Sequence, residues 1–341
     1  MVKLNLRTAA ATALLLALAC VPLIAAAAGQ SFYVTFFSRV LILGLAAVGL
    51  NLILGYGGLV SLGHALYIGV GVYAVGILST HGVSNGWAHV AVALFSTAVL
   101  AVMIGSVCLR TTGMAFIMIT LAFAQMVYFL AVGLRNYGGD DGMAIAQRSD
   151  FGLFSLADNN VLYYLIFALL LLVLFGLRRL VDSRFGMVLR GSRSNERRMA
   201  ALGFPVLRYK LMAYVISALI CALAGVMLAN LVLYMSPSYM QWQMSGELIV
   251  MIVLGGMGSL IGPLLGAVAL LVLEELLGSM QIGLPWGMDT FVNSHPMLVV
   301  SVFIILVALT MKHGLYGYLQ ARELSEARKK ATPKEPGHAQ G

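Results

Sequence analysis

Residues 88–109 read AHVAVALFSTAVLAVMIGSVCL, and after Arg110-Thr111-Thr112 the chain resumes at 113–134 with GMAFIMITLAFAQMVYFLAVGL. Each run holds about 22 residues without Asp, Glu, Lys or Arg, long enough as a helix to cross a hydrocarbon core of about 30 Å. Predominantly apolar runs recur on both sides, some shorter and some carrying a charged residue toward one end. Upstream they cover about 8–28, 36–55 and 58–79; downstream about 161–177, 210–234, 244–257, 260–280 and 297–311. Polar turns separate them, such as His81-Gly82-Val83-Ser84-Asn85-Gly86 and Leu284-Pro285-Trp286-Gly287-Met288-Asp289. The whole chain is 61% hydrophobic and 10% charged, where soluble domains carry about 25% charged residues. These features predict an all-α, polytopic helical membrane protein with about ten transmembrane helices.

Lys3 and Arg7 precede the first run, and Ala25 to Ala28 offer small residues for signal cleavage. The run is longer than a usual signal core, so residues 1–28 are expected to remain as a span. The three cysteines, Cys20, Cys108 and Cys221, lie in apolar stretches at unrelated spacings, which argues against a disulfide framework or a metal site. No cofactor is expected. Gly258, Gly262 and Gly266 form a small-residue ridge suited to close helix packing. Gly57-Gly58-Leu59-Val60-Ser61-Leu62 resembles Gly255-Gly256-Met257-Gly258-Ser259-Leu260. Paired glycine interruptions in two halves of a transporter mark broken helices around its pathway; the alternative is coincidence in glycine-rich sequence.

The formal net charge is +8, and its distribution excludes a nucleic-acid footprint. Nine Lys/Arg crowd into 178–210 against Asp182 and Glu196, whereas 135–160 holds Asp140, Asp141, Asp150 and Asp158 against Arg135 and Arg148. That asymmetry predicts cytoplasmic basic loops, cytoplasmic termini and an external acidic loop. Residues 1–311 then form the transmembrane domain. Residues 312–341, polar from Lys312 onward, form a partly disordered cytoplasmic tail.

Within the basic loop, 182–207, Ser194 or Asn195 can cap a helix, Glu196 suits its positive first turn, and Gly203 with Pro205 stops it. The product is a short rigid helix presenting Met199, Ala200 and Leu202 beside Arg197 and Arg198, suited to a groove on a cytoplasmic partner. The run Asn195-Glu196-Arg197-Arg198-Met199-Ala200-Ala201-Leu202-Gly203 resembles the E-x-x-A…G coupling loop of bacterial ABC importer permeases. Phe185-Gly186-Met187-Val188-Leu189-Arg190 before it is similar to the version in branched-chain amino acid permeases of the LivM type. Asn51 to Ala65, Tyr137-Gly138-Gly139-Asp140-Asp141-Gly142 and Val253 to Ser259 agree with that family, and the resemblance spans roughly 38–318. Lys312-His313-Gly314 departs from the family's Pro-Arg-Gly, and Asn136 stands where a threonine is common.

The resemblance implies a permease subunit of an importer in the bacterial inner membrane. Its partners would be a second homologous permease, two ATP-binding subunits and an external solute-binding protein. It implies coupling to the ATPase through Arg190, Asn195, Glu196, Arg197, Ala200 and Gly203. Branched-chain amino acids are the expected solute, with urea and short amides as the alternative. None of the six lysines precedes Ser or Thr, so the chain has no P-loop and ATP must be hydrolysed elsewhere. Asn51, Ser61, His64, Gln125 and Ser259 are candidates for the translocation path, since intramembrane polar groups beside helix breaks line pathways. For His64 the alternative is a ring satisfied by a backbone carbonyl. Gly138, Gly139, Asp140, Asp141 and Gly142 mark an external turn able to meet the binding protein. An ion-coupled transporter would keep ionisable groups near mid-membrane, yet Glu247, Glu274 and Glu275 fall near span ends. No nucleophile–base set appears, and an enzyme is not expected.

Overall fold

A computed structural model of the chain describes residues 6–152, 156, 158–279, 301–302, 314 and 317. Most of the proposed tail and most of the span at 297–311 lie outside the described residues. Helices α1 (Leu6–Ala28), α2 (Ser31–Asn51), α4 (Gly86–Cys108), α5 (Met114–Gly133), α6 (Asn159–Asp182) and α9 (Val206–Val232) are long and apolar enough to cross a membrane. Two others fall short. α3 (Ala65–Thr80) has 16 residues and α10 (Trp242–Gly255) has 14, about 24 and 21 Å at 1.5 Å per residue. The expected spans at 58–79 and 244–257 are therefore helical over only part of the membrane depth. α11 (Gly262–Ser279) follows α10 after a tight turn.

Helix ends occur where the polar turns predicted them. Asn85 caps α4 through its side chain, accepting from the Trp87 amide at 3.0 Å, and Asp158 caps α6 at the Asn160 amide at 2.9 Å. Gly113, at φ +63°, turns the chain from α4 into α5.

α2 and α9 form the centre, with 89% and 72% of their spans buried inside the protein. α1, α4 and α5 bury less than a third of theirs, leaving apolar faces such as Phe95, Met103, Met126 and Phe129 outward, as lipid contact requires. Contacts gather the connecting segments into two groups, one at each end of α9. One carries the short helices α7 (Arg184–Ser194) and α8 (Glu196–Ala201). The other carries the 134–158 segment.

The described residues of that segment are fastened to the helices around them. Its strand β1 (Met143–Ala144) pairs antiparallel with β2 (Tyr234–Met235) after α9. The His89 ring donates from Nε2 to the Val83 carbonyl at 2.8 Å and meets Ser149 Oγ through Nδ1 at 2.7 Å. The Ser149 amide donates to Asn230 Oδ1 at 2.7 Å. Arg148 donates to the Leu156 carbonyl at 2.6 Å and to Asn159 Oδ1 at 2.7 Å. Buried polar groups thereby find partners, as an interior demands.

Candidate coupling site and interrupted helices

The short helices α7 and α8 arise from local capping. Ser183 accepts from the Phe185 amide at 3.2 Å, and Asn195 Oδ1 accepts from the Arg198 amide at 2.9 Å. Phe185, Val188 and Leu189 give α7 its inward side, with Val188 and Leu189 buried. α8 ends at Gly203, whose φ is +87°, with its amide bonded to the Ala200 carbonyl at 2.9 Å. The cap and the stop fall at Asn195 and Gly203, as their residue types dictate. The sequence missed α7: what reads as a loop is two helices, because α7 is short, basic and rich in Gly and Ser.

The coupling candidates separate into two groups. Arg197, Ala200 and Gly203 are exposed, together with Leu202 (66% exposed) and Phe204. They make an apolar tip within a basic surround. Arg190 instead turns back on the fold, donating to the Val181 and Gly186 carbonyls at 3.2 and 3.3 Å. Glu196 pairs with Lys210 of α9 at 2.7 Å. Met199 does not join the exposed tip; its Sδ lies 2.7 Å from where a Cβ on Gly191 would stand, so it holds α8 against α7.

The two glycine segments come together at the same end. α2 closes in a π-turn, Leu52–Tyr56, after which the backbone runs non-helically to His64. Gly58 and Gly256, the second glycines of the two look-alike segments, both have positive φ (+70° and +117°). Ser61 Oγ accepts from the Gly63 amide at 3.3 Å, and Ser259 Oγ accepts from the Gly262 amide at 3.1 Å. Of the glycine ridge, Gly262 and Gly266 pack against the α10 backbone, whereas Gly258 sits in the turn at φ +78°.

The path candidates are brought together in pairs. Asn51, 1% exposed, accepts from the Gly258 amide at 3.1 Å and donates to the Ser259 carbonyl at 2.8 Å. His64, fully buried, pairs through Nδ1 with Ser61 Oγ at 2.9 Å, not with a backbone carbonyl. Its Nε2 has no partner among the described residues. The ring packs edge-on to Tyr67 and Tyr214, whose hydroxyls lie 3.0 Å apart. Gln125 stands apart, half-buried on α5. At the other end, Gly138, Gly139 and Gly142 all have positive φ, and Asp140 and Asp141 are exposed. The Asp141 carbonyl accepts from the Tyr234 hydroxyl.

Among known protein families, that of the branched-chain amino acid transport system permease component matches residues 32–309. The chain belongs to this family. Two curated relatives are the high-affinity branched-chain amino acid transport system permease proteins LivM of Escherichia coli (strain K12) and Salmonella typhimurium (strain LT2). Each is 28% identical over 300 residues, covering 81% of this chain and 67% of the relative. No solved structure matches the chain significantly. The permease is thus a multi-pass membrane component of an ABC transport system, and α7–α8, 134–158 and the glycine breaks are its notable departures from plain spanning helices.

Proposed function

We propose that this permease moves branched-chain amino acids across the bacterial inner membrane, driven by ATP hydrolysed on two separate subunits docked at α7–α8. It pairs with a second homologous permease and receives solute from an external binding protein at the 134–158 end. The observation that carries this is the capped, outward tip of α8, where Leu202 and Phe204 stand exposed beside Arg197 and Arg198. An exposed apolar tip at an otherwise polar end marks a protein contact. Asn195, Glu196, Arg197, Ala200 and Gly203 shape and present that tip, and Arg190 anchors it. Asn51, Ser61, His64, Gln125 and Ser259 belong to the elements that change shape or line the path when solute passes.

The full domain, 1–311, crosses the membrane about ten times with both termini cytoplasmic, and 312–341 is a cytoplasmic tail. Single cysteines replacing exposed Gln147 and exposed Arg197, in a background lacking Cys20, Cys108 and Cys221, are expected to react with an impermeant maleimide from opposite sides of oriented vesicles. Labelling from the same side would contradict the topology.

Purified alone in nanodiscs, the permease is expected to hydrolyse no ATP, since no lysine of a P-loop exists. Assembled with its ATPase subunits and binding protein, it is expected to import leucine, isoleucine or valine. Magnesium-dependent hydrolysis that persists after every other subunit is removed would overturn the division of labour. Import of urea or acetamide without the amino acids would overturn the solute.

A further inference from the structure

The carbonyls at the end of α2 can be followed one by one. In the π-turn and the residues after it, the Leu52 carbonyl accepts from the Gly57 amide at 3.2 Å, Ile53 from Leu59 at 2.9 Å, and Leu54 from Gly58 at 3.2 Å. The next carbonyl, that of Gly55, accepts from Arg193 Nη1, reaching over from α7. A helix end leaves its last carbonyls open and negative, and a guanidinium is a fitting donor for them. The stem of Arg193 lies on the second glycine of the break: a Cβ on Gly58 would stand 2.8 Å from Arg193 Cγ. Immediately below, Asn51 grips the other break through its donor and acceptor together, at the Ser259 carbonyl and the Gly258 amide. Gly55 fits between these groups because it has no side chain; its Cβ would stand 2.6 Å from the Gly258 nitrogen.

Resting on the coupling function proposed above, we propose that Arg193 and Asn51 form one latch that ties the ATPase-docking helix α7 to both glycine breaks. Arg193 is a positioning residue. It touches no solute and no nucleotide, and it holds the Gly55 carbonyl so that α7 cannot tilt without moving the end of α2. Asn51 then passes that movement to the turn between α10 and α11. A primary amide offers a donor and an acceptor side by side on a short stem. Arg193 Nη1 also lies 3.8 Å from the Cβ position of Gly258, so one side chain borders both breaks.

The test uses the complete transporter in proteoliposomes, with leucine-loaded binding protein, measuring ATP hydrolysed, leucine imported and ATPase subunits retained. Arg193→Ala is expected to retain the ATPase subunits while raising ATP consumed per leucine by about tenfold, on the scale of one charge-assisted hydrogen bond lost from one conformational state. Arg193→Lys, which keeps a cationic donor, is expected to restore most of the ratio. Asn51→Asp keeps the acceptor and loses the donor, and is expected to raise the ratio similarly. The double variant Arg193→Ala/Asn51→Asp is expected to be no worse than the worse single, because both act through one latch. An unchanged ratio in Arg193→Ala with ATPase subunits bound would overturn the latch and leave the docking function standing. Strictly additive effects in the double variant would overturn the single latch as well. Failure of wild-type protein to retain ATPase subunits through α7–α8 would instead defeat the docking function itself. An Asn51→Asp protein that does not fold leaves the decision to Arg193→Ala and its lysine rescue.

Discussion

Gly225→Val is expected to leave little folded, detergent-stable permease. α3 and α9 cross with backbones in contact: a Cβ on Gly225 would run into the Ile68 carbonyl, and one on Gly71 would run into the Ala222 carbonyl and lie 3.1 Å from Gly225 Cα. The obstructing atoms are backbone, so no side chain can swing away, and the helices themselves must separate. Overpacking of this kind costs about 3 kcal/mol or more, and in lipid the close approach of small residues is itself what joins helices. The controls are Gly176→Ala on α6 and Gly246→Ala on α10, where a Cβ would meet nothing within 4 Å. Size-exclusion profiles after graded heating should show the first variant lost at temperatures the other two survive. Equal melting of all three would mean that the α3–α9 crossing does not hold the fold together.

Gly203→Val is expected to lower uptake by about tenfold or more and to loosen the ATPase subunits, while insertion stays normal; the estimate follows from a left-handed backbone costing a side chain about 1–2 kcal/mol. The space around Gly203 is open, with nothing within 4 Å of a Cβ, so the effect must come from φ +87° alone. A helix of 6 residues has little stability of its own to resist such strain, and Leu202 and Phe204 would lose their presentation. Gly203→Asn separates conformation from contact, because asparagine tolerates this backbone far better than a β-branched residue. It should retain most uptake and most ATPase co-purification. If valine is as active as asparagine, the shape of the α8 stop does not matter to coupling.

The sequence reveals those elements whose causes are local. Asn85 and Asp158 cap α4 and α6 where polar turns interrupt apolar runs, and Asn195 and Gly203 bound α8. Gly57 and Gly58 mark the interruption before α3, but its length is hidden because Leu59, Val60 and Leu62 continue the apolar run straight through it. Distant contacts hold it in place: the Ala65 amide at the start of α3 donates to Ser245 Oγ at 2.9 Å, and Gly63 packs on the Thr120 carbonyl. Neither contact leaves a periodic trace in sequence. The same holds for Arg193, which reads as one more basic residue in a basic segment until its partner is found 138 positions away. The likeness between 57–62 and 255–260 was visible, and the shared positive φ of Gly58 and Gly256 gives it a conformational basis. That Asn51 would join the two segments was not visible, since nothing local distinguishes it from any polar residue in a span.

The broken backbone between Tyr56 and Ala65 bears on how the chain is made. A helix can enter the bilayer as soon as it is synthesised, because it satisfies its own amides and carbonyls. Residues 57–64 lack that regular ladder: Gly57, Gly58 and Leu59 bond back to the end of α2 and Gly63 to Ser61. The segment packs on Thr120 of α5, and α3, whose first amide donates to Ser245 of α10, crosses α9 at its glycines. During synthesis this segment therefore waits, shielded from lipid, while more than half the chain is still to be translated. A ribosome stalled before α9 would hold a permease whose second helix is seated and whose third has not yet found its depth. Maturation of this protein is accordingly expected to finish late and cooperatively, and truncated products ending before α9 should be the ones that membrane proteases clear first.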